Sequence, residues 1–347
     1  MERLITLYNI KFNIEYYKKY EDIILDIFNN DNLNYDLNDK IILNIIGLYY
    51  ECKIKDCDEM KKYYLMAIKL NDVISMFYLG NYYKNIKKNY DEMKKYYLMA
   101  IELNDHHAMN NLANYYQIIE KNYDEMKKYY LMAIELKNNS AMYNLASYYL
   151  NVEKNYDEMK KYYLMATELN NVNSMFNLGL YYDEIEINYN LMKKYYLMAI
   201  KLNNSHSMNN LGLYYKNIEK NYDEMKKYYL MAIELNNSHS MNNLGSYYKN
   251  IEKNYDEMKK YYLMAIELNH NQAILNLCNF YEKATQHYLL RQINSTIAIE
   301  KVKELEKNNF LGVKIFEELT KYCFNPQRLL KLCNICKIEF DDYMDMT

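Results

Sequence analysis

One word, DEMKKYYLMAI in its fullest form, recurs in steps of 33 residues, starting at Asp58, Asp91, Asp124, Asp157, Asn190, Asp223 and Asp256. A second word lies between the copies, as LGNYY, LANYY, LASYY, LGLYY, LGLYY and LGSYY. Its small-residue column, Gly47, Gly80, Ala113, Ala146, Gly179, Gly212, Gly245 and Cys278, keeps the same step. A globular catalytic domain has no use for one surface repeated at a fixed period. A stack of like supersecondary units does, and this constrains the fold before any other feature is considered.

The copy from Ser238 to Leu268 shows what each unit is. Met241, Leu244, Gly245 and Tyr248 fall on one face of a helix, and Met258, Tyr262, Ala265 and Ile266 fall on one face of a second. Asn254 followed by Glu257 reads as an N-cap with a capping box. The pair recurs as Asn89 with Glu92, Asn122 with Glu125, Asn155 with Glu158 and Asn221 with Glu224, whereas Asn188 has Leu191 and is expected to cap less well. Asn pairs at 203–204 and 236–237 end one helix and start the next. The unit is therefore a helical hairpin whose small residues mark a close helix crossing. One hairpin cannot bury its apolar face alone, but a stack of them builds a continuous core.

Composition agrees. Six Gly and one Pro leave few residues for strand-rich turns, and Asn, which tolerates left-handed backbone, takes over loop work. The net charge of −3 comes from interleaved acids and bases, without the basic stripe that nucleic acid requires. The start MERLITLYNIKFNIEYYKK lacks a signal-peptide core, and no apolar run approaches a membrane span. Six scattered Cys read as reduced thiols of an intracellular, cytoplasmic protein. The repeat block has no phosphate-cradling Gly loop and no nucleophile elbow. In Ser238-His239-Ser240, adjacent helical residues point apart and form no relay. The expectation is a protein that is not an enzyme and uses no cofactor.

The pattern SMNNLGSYY, a loop, then DEMKKYYLMAIEL resembles the tetratricopeptide superfamily and, more closely, its Sel1-like branch. Leu244, Gly245 and Tyr248 match the first-helix signature, and Tyr261, Tyr262 and Ala265 match the second. The resemblance covers 41–283. Two features depart from it: KNIEKN stands where Sel1-like repeats carry a Gly-rich loop, and no Pro ends the unit. The resemblance implies an all-α, right-handed superhelical solenoid of helix-turn-helix repeats. It also implies a binding groove on the inner face of the first helices. Carried onto this chain, that groove holds His239, Asn242, Ser246, Lys249 and Asn250 in one repeat, and His206, Asn209, Leu213, Lys216 and Asn217 in its neighbour.

Comparison among the repeats gives an independent reading of the same surface. The framework columns hardly change, but one column runs Phe77, Asn110, Tyr143, Phe176, Asn209, Asn242, and another Asn81, Asn114, Ser147, Leu180, Leu213, Ser246. Variation where packing does not dictate the residue predicts solvent exposure and is consistent with partner reading; drift of exposed columns is the alternative. Phe77, Tyr143 and Phe176 are the anchor candidates, because interface hot spots favour large rings. Basic residues are sparse along this surface, so a charged clamp for a peptide's terminal carboxylate is not expected. His107, His206 and His239 share a column with Ser140 and Asn173, which reads as a small polar position rather than a metal site.

Three segments follow: 1–40 as an N-terminal helical cap, 41–283 as the array, and 284–347 as a helical cap or small extra module, with helices over about 284–306 and 310–323 and a third opening at Asn325-Pro326. Cys323, Cys333 and Cys336 supply three of the four ligands a structural zinc needs, and burial as small hydrophobes is the simpler reading. The functional expectation is a protein–protein interaction scaffold that binds a peptide or helix on its concave surface, without nucleic acid or membrane. The alternatives are a ubiquitin-ligase-like adaptor with a metal-binding tail, and a self-assembling structural protein.

Overall fold

A computed structural model describes residues 17–280. It contains helices and turns, with no strand among the described residues. The chain divides into two units, one ending at Asn171 and one starting at Val172. In the first, a short 3-10 turn leads into α1 (Glu21–Asn30) and four hairpins: α2 (Lys40–Tyr49) with α3 (Cys57–Lys69), α4 (Val73–Tyr82) with α5 (Tyr90–Glu102), α6 (His106–Tyr115) with α7 (Tyr123–Glu135), and α8 (Asn139–Tyr148) with α9 (Tyr156–Glu168). The second holds α10 (Val172–Glu184) with α11 (Tyr189–Ile200), α12 (Ser205–Tyr214) with α13 (Tyr222–Glu234), and α14 (Ser238–Tyr247) with α15 (Tyr255–Glu267), followed by a helix over 271–280, α16. Within each unit, each helix packs on its hairpin partner and successive hairpins pack on one another. The fold is the all-α stack of helical hairpins that the period predicts.

Local chemistry sets each boundary. The Oδ1 of Asn89, Asn122, Asn155 and Asn221 accepts from the Glu N–H three residues on at 3.2 Å, satisfying a backbone donor that the helix cannot. The reciprocal half of the expected capping box does not form. The Asn89 N–H instead donates to the Tyr83 carbonyl at 3.0 Å, and the Glu92 carboxylate pairs with Lys95 at 3.2 Å. Because the cap needs only the Asn side chain and a backbone N–H, Asn188 caps as well as its siblings, accepting from the Leu191 N–H at 3.2 Å. The expected weaker cap there is not observed.

The segment between the helices of a hairpin is no loop. In most repeats the first helix widens into one π-turn, as at Tyr83–Lys87, Tyr116–Glu120 and Tyr215–Glu219. A Lys in the left-handed region ends each of these, for example Lys88 at φ 52° and Lys220 at φ 56°. Between hairpins of one unit, Asn71, Asn104, Asn203 and Asn236 take the left-handed role, and the following residue caps the next helix.

The core explains the glycine column. A Cβ on Gly212 would sit 2.6 Å from Tyr229 Cε1, and one on Gly245 would sit 2.8 Å from Tyr262 Cδ1. The second-helix tyrosines Tyr97, Tyr130, Tyr196 and Tyr229 are fully buried against this column. On another side of the hairpins, Tyr116 stacks on Tyr129 with centroids 5.7 Å apart, and Tyr115 donates to Glu120 at 2.8 Å. Glu120 also accepts from Lys94 of the preceding hairpin at 3.0 Å. The same pairing joins Lys127 to Glu153, Lys193 to Glu219 and Lys226 to Glu252, tying successive hairpins within each unit, except the first pair, where Lys61 and Lys87 hold these positions. Cys52, Cys57 and Cys278 are free thiols. The helices expected over 284–306 and 310–323, and the candidates Cys323, Cys333 and Cys336, lie outside the described residues.

Candidate functional site

Three columns of the first helices surround the hydroxyls of the buried second-helix tyrosines. The first is the aromatic-or-Asn column. Phe77 is half-buried, its ring 6.2 Å from Tyr97 and 6.0 Å from His107 of the next repeat. Tyr143 lies 5.8 Å from Tyr163 in the same way. In the second unit, Phe176 lies 6.1 Å from Tyr196 and 6.0 Å from His206. Each ring therefore rests on a fixed aromatic floor and keeps part of its surface in solvent.

The Asn members of that column behave differently. Asn110 Oδ1 accepts from Asn144 at 3.0 Å. Asn209 and Asn242 are buried, each 9% exposed. Asn209 Oδ1 accepts from Asn243 and from the Ser240 hydroxyl, both at 3.0 Å, and Asn242 accepts from Asn276 at 2.9 Å. These amides join one repeat to the next. Sequence variation in this column thus separates half-buried rings from buried network amides, and exposure does not follow from variability alone.

The second column supplies hydrogen-bond partners. Asn81 accepts from the Tyr97 hydroxyl at 2.6 Å and Asn114 from that of Tyr130 at 2.7 Å; Ser147 and Ser246 pair with Tyr163 and Tyr262, each at 2.9 Å. Leu48, Leu180 and Leu213 occupy the column in the remaining three hairpins, Leu48 buried and the other two half-buried. A third column, three residues further on, runs Glu51, Lys84, Gln117, Leu150, Asp183, Lys216, Lys249. Sequence reasoning placed Lys216 and Lys249 on this face but did not recognise the column. Its signal was available in the 13-residue spacing to the tyrosine, since Glu51 accepts from Tyr64 at 2.6 Å and Gln117 from Tyr130 at 2.9 Å.

Burial governs the electrostatics. It raises the Tyr97 hydroxyl to about 12, lifts the Glu51 carboxyl above its ordinary range, and lifts Asp183 with help from the neighbouring Glu184. It depresses the Lys84 and Lys216 ammoniums, assisted by Lys88 and Lys220 respectively. Each of these shifts disfavours the charged form, as expected for groups partly withdrawn from water.

His107, His206 and His239 are exposed at the starts of their helices. His239 Nδ1 lies 3.2 Å from His270 Nε2, and His270 Nδ1 accepts from the Ala273 N–H at 3.2 Å, so His270 caps α16 in place of the usual Asn. That cap uses the Nδ1 lone pair and leaves the proton on Nε2, which donates to His239. Among the described residues, no group of three His, Cys, Asp or Glu is placed to hold a metal ion. No described helix is long and apolar enough to cross a membrane.

This arrangement, stacked hairpins presenting variable side chains over a fixed framework, defines a helical-repeat protein. Its fold is that of Sel1-like repeat proteins. A protective antigen of uropathogenic Escherichia coli strains, described as displaying an SLR fold, is similar with a TM-score of 0.59 at 16% identity, over 85% of this chain and 71% of that one. A Sel1 repeat protein from Oxalobacter formigenes is similar with a TM-score of 0.50 at 22% identity, over 64% of this chain and 97% of that one. Neither a family model nor a curated protein matches the sequence.

Proposed function

We propose that the protein is a non-enzymatic scaffold whose first-helix faces bind peptide or helical segments of protein partners. The observation that carries this reading is the contrast within one column. Phe77, Tyr143 and Phe176 stand half-buried on tyrosine floors, where neighbouring repeats place interlocked amides. A ring fixed from below and open above offers apolar contact at small entropic cost, which suits an anchor residue. The anchors Phe77 and Tyr143 serve the first unit and Phe176 the second. Around them, Asn81, Asn110, Asn114 and Ser147 in the first unit, and Leu180, Asn209, Leu213, Asn242 and Ser246 in the second, position the anchors or flank the bound segment.

The test is paired affinity capture from the native host cell, with wild type and Phe77→Ala/Tyr143→Ala/Phe176→Ala as baits and folding checked by circular dichroism. A partner that is captured by the wild type and lost from the triple variant supports the reading. Identical partners on both baits overturn it.

A further inference from the structure

One repeat of the second unit breaks the hydrogen-bonding rule of the tyrosine column. Elsewhere each second-helix hydroxyl finds a hydrogen-bond partner 13 or 16 residues upstream: Asn114 and Gln117 for Tyr130, Ser246 for Tyr262, and Asp183 for Tyr196. For Tyr229 those two positions are Lys216 and Leu213. Leucine has no polar atom, and a lysine ammonium only donates. Asn210 reaches the Tyr196 hydroxyl at 3.2 Å from 14 residues downstream, but the equivalent Asn243 is turned to Asn209. The Tyr229 hydroxyl is consequently buried without a hydrogen-bond partner, on a residue with 0% exposure.

Lys216 shares the deficit. It is half-buried and makes no ion pair, and the charged group acting on it is another cation, Lys220. Tyr229 thus holds a buried donor without an acceptor, and the position that supplies the acceptor to Tyr64 and Tyr130 carries a cation here. A buried polar group left without its hydrogen bond is costly, so a native structure that keeps one beside a half-buried cation column calls for an explanation.

We propose that this niche takes the carboxylate of an Asp or Glu side chain from a bound partner segment. The inference rests on the peptide-binding reading above and deepens it by naming one residue class at one repeat. A carboxylate is acceptor-only and matches a single ammonium plus a hydroxyl. Lys216 and Leu213 hold the two positions whose side chains reach the tyrosine hydroxyl in sibling repeats, so a swing of Lys216 toward the incoming carboxylate uncovers the Tyr229 donor. Half-buried Leu180 and Leu213 lie along the same face to receive the acid's methylene groups. Asp183, one repeat back in the Lys216 column, repels a second acid there and so sets the register.

The test uses the full chain and a fluorescein-labelled hexaglutamate with an amidated C-terminus, followed by anisotropy at low ionic strength. Hexaglutamine is the neutral control, and Lys201→Met, at an exposed turn lysine, is the charge control. Expected are binding of hexaglutamate but not hexaglutamine, a loss of about tenfold in Lys216→Met and about fivefold in Tyr229→Phe, and no change in Lys201→Met. Tyr229→Phe is also expected to raise the melting temperature of the free protein, because it removes a donor that has no acceptor. Absent hexaglutamate binding, equal binding to wild type and Lys216→Met, an equal loss in Lys201→Met, or unchanged binding in Tyr229→Phe overturns the proposal. So does a lower melting temperature in Tyr229→Phe, since the hydroxyl would then be bonded in the free protein. These readouts are independent of the Phe77, Tyr143 and Phe176 substitutions, so failure of the niche leaves aromatic anchoring standing, and the reverse.

Discussion

Ile187 is the most strained backbone position described. Its φ of 51° lies in the left-handed region, where the siblings in its column carry Lys, at φ 52° in Lys88, 54° in Lys121 and 57° in Lys253. An unbranched residue there costs about 1–2 kcal/mol, and branching at Cβ adds to the clash with the following carbonyl. Ile187 is 56% exposed, so little packing offsets the strain. Replacing it by Lys keeps an aliphatic stem against the surface and removes the branch. We expect Ile187→Lys to stabilise the α10–α11 hairpin by about 1 kcal/mol. Native-state hydrogen exchange is the assay, because repeat arrays open in blocks and one global midpoint averages them. The slowest amides of Tyr189–Ile200 are expected to exchange about fivefold more slowly, the factor that corresponds to 1 kcal/mol. Ile185→Lys serves as control: it is 45% exposed and has no positive φ, and is expected to give no slowing. Unchanged or faster exchange in Ile187→Lys, or equal slowing in the control, would refute the strain argument.

Two further outcomes follow from packing and charge. Gly212→Ala puts a Cβ 2.6 Å from the Tyr229 ring, yet Ala113 and Ala146 already face the buried Tyr130 and Tyr163 in sibling repeats. Gly212→Ala is therefore expected to cost no more than about 1 kcal/mol by urea unfolding, and Gly212→Leu several times as much, as overpacking does. Hydrogen bonds from Lys94, Lys127, Lys193 and Lys226 hold the carboxyls of Glu120, Glu153, Glu219 and Glu252 below the usual range. Their folded values being depressed, these pairs stabilise the fold above the ordinary carboxylate range and lose that contribution as pH falls through the lowered values. A thermal melt series should show stability falling with acidification there, and Lys94→Met flattening part of the fall.

The hairpins were legible because hydrophobic period and N-cap Asn are local signals: Met241, Leu244 and Tyr248 mark a helix face in whatever context they stand. The π-turns were not. Tyr-Lys-Asn-Ile-Glu reads as a polar loop, and only the bond from the Lys220 N–H to the Tyr215 carbonyl, five residues back, reveals the widened turn. The variable first-helix columns stood out in the sequence, but variation does not distinguish Phe176, open on one side, from Asn209, locked to Asn243. That distinction depends on contacts made a whole repeat away. The missing acceptor at Tyr229 was hidden for a related reason: it is visible only once the 13- and 16-residue partners of the other tyrosines are known.

The interface between successive hairpins has a consequence for how such a chain changes length. Excising 205–237 would join Asn204 to Ser238 and bring α14 against α11, with Met241, Leu244 and Gly245 arriving where Met208, Leu211 and Gly212 had been. The incoming surface is the outgoing one. Recombination within the coding sequence can therefore add or remove whole hairpins in multiples of 33 residues without redesigning a contact. What such events would alter is the number and order of Phe, Tyr, Asn and Lys along the first-helix faces, so the surface would be edited while the architecture stays constant.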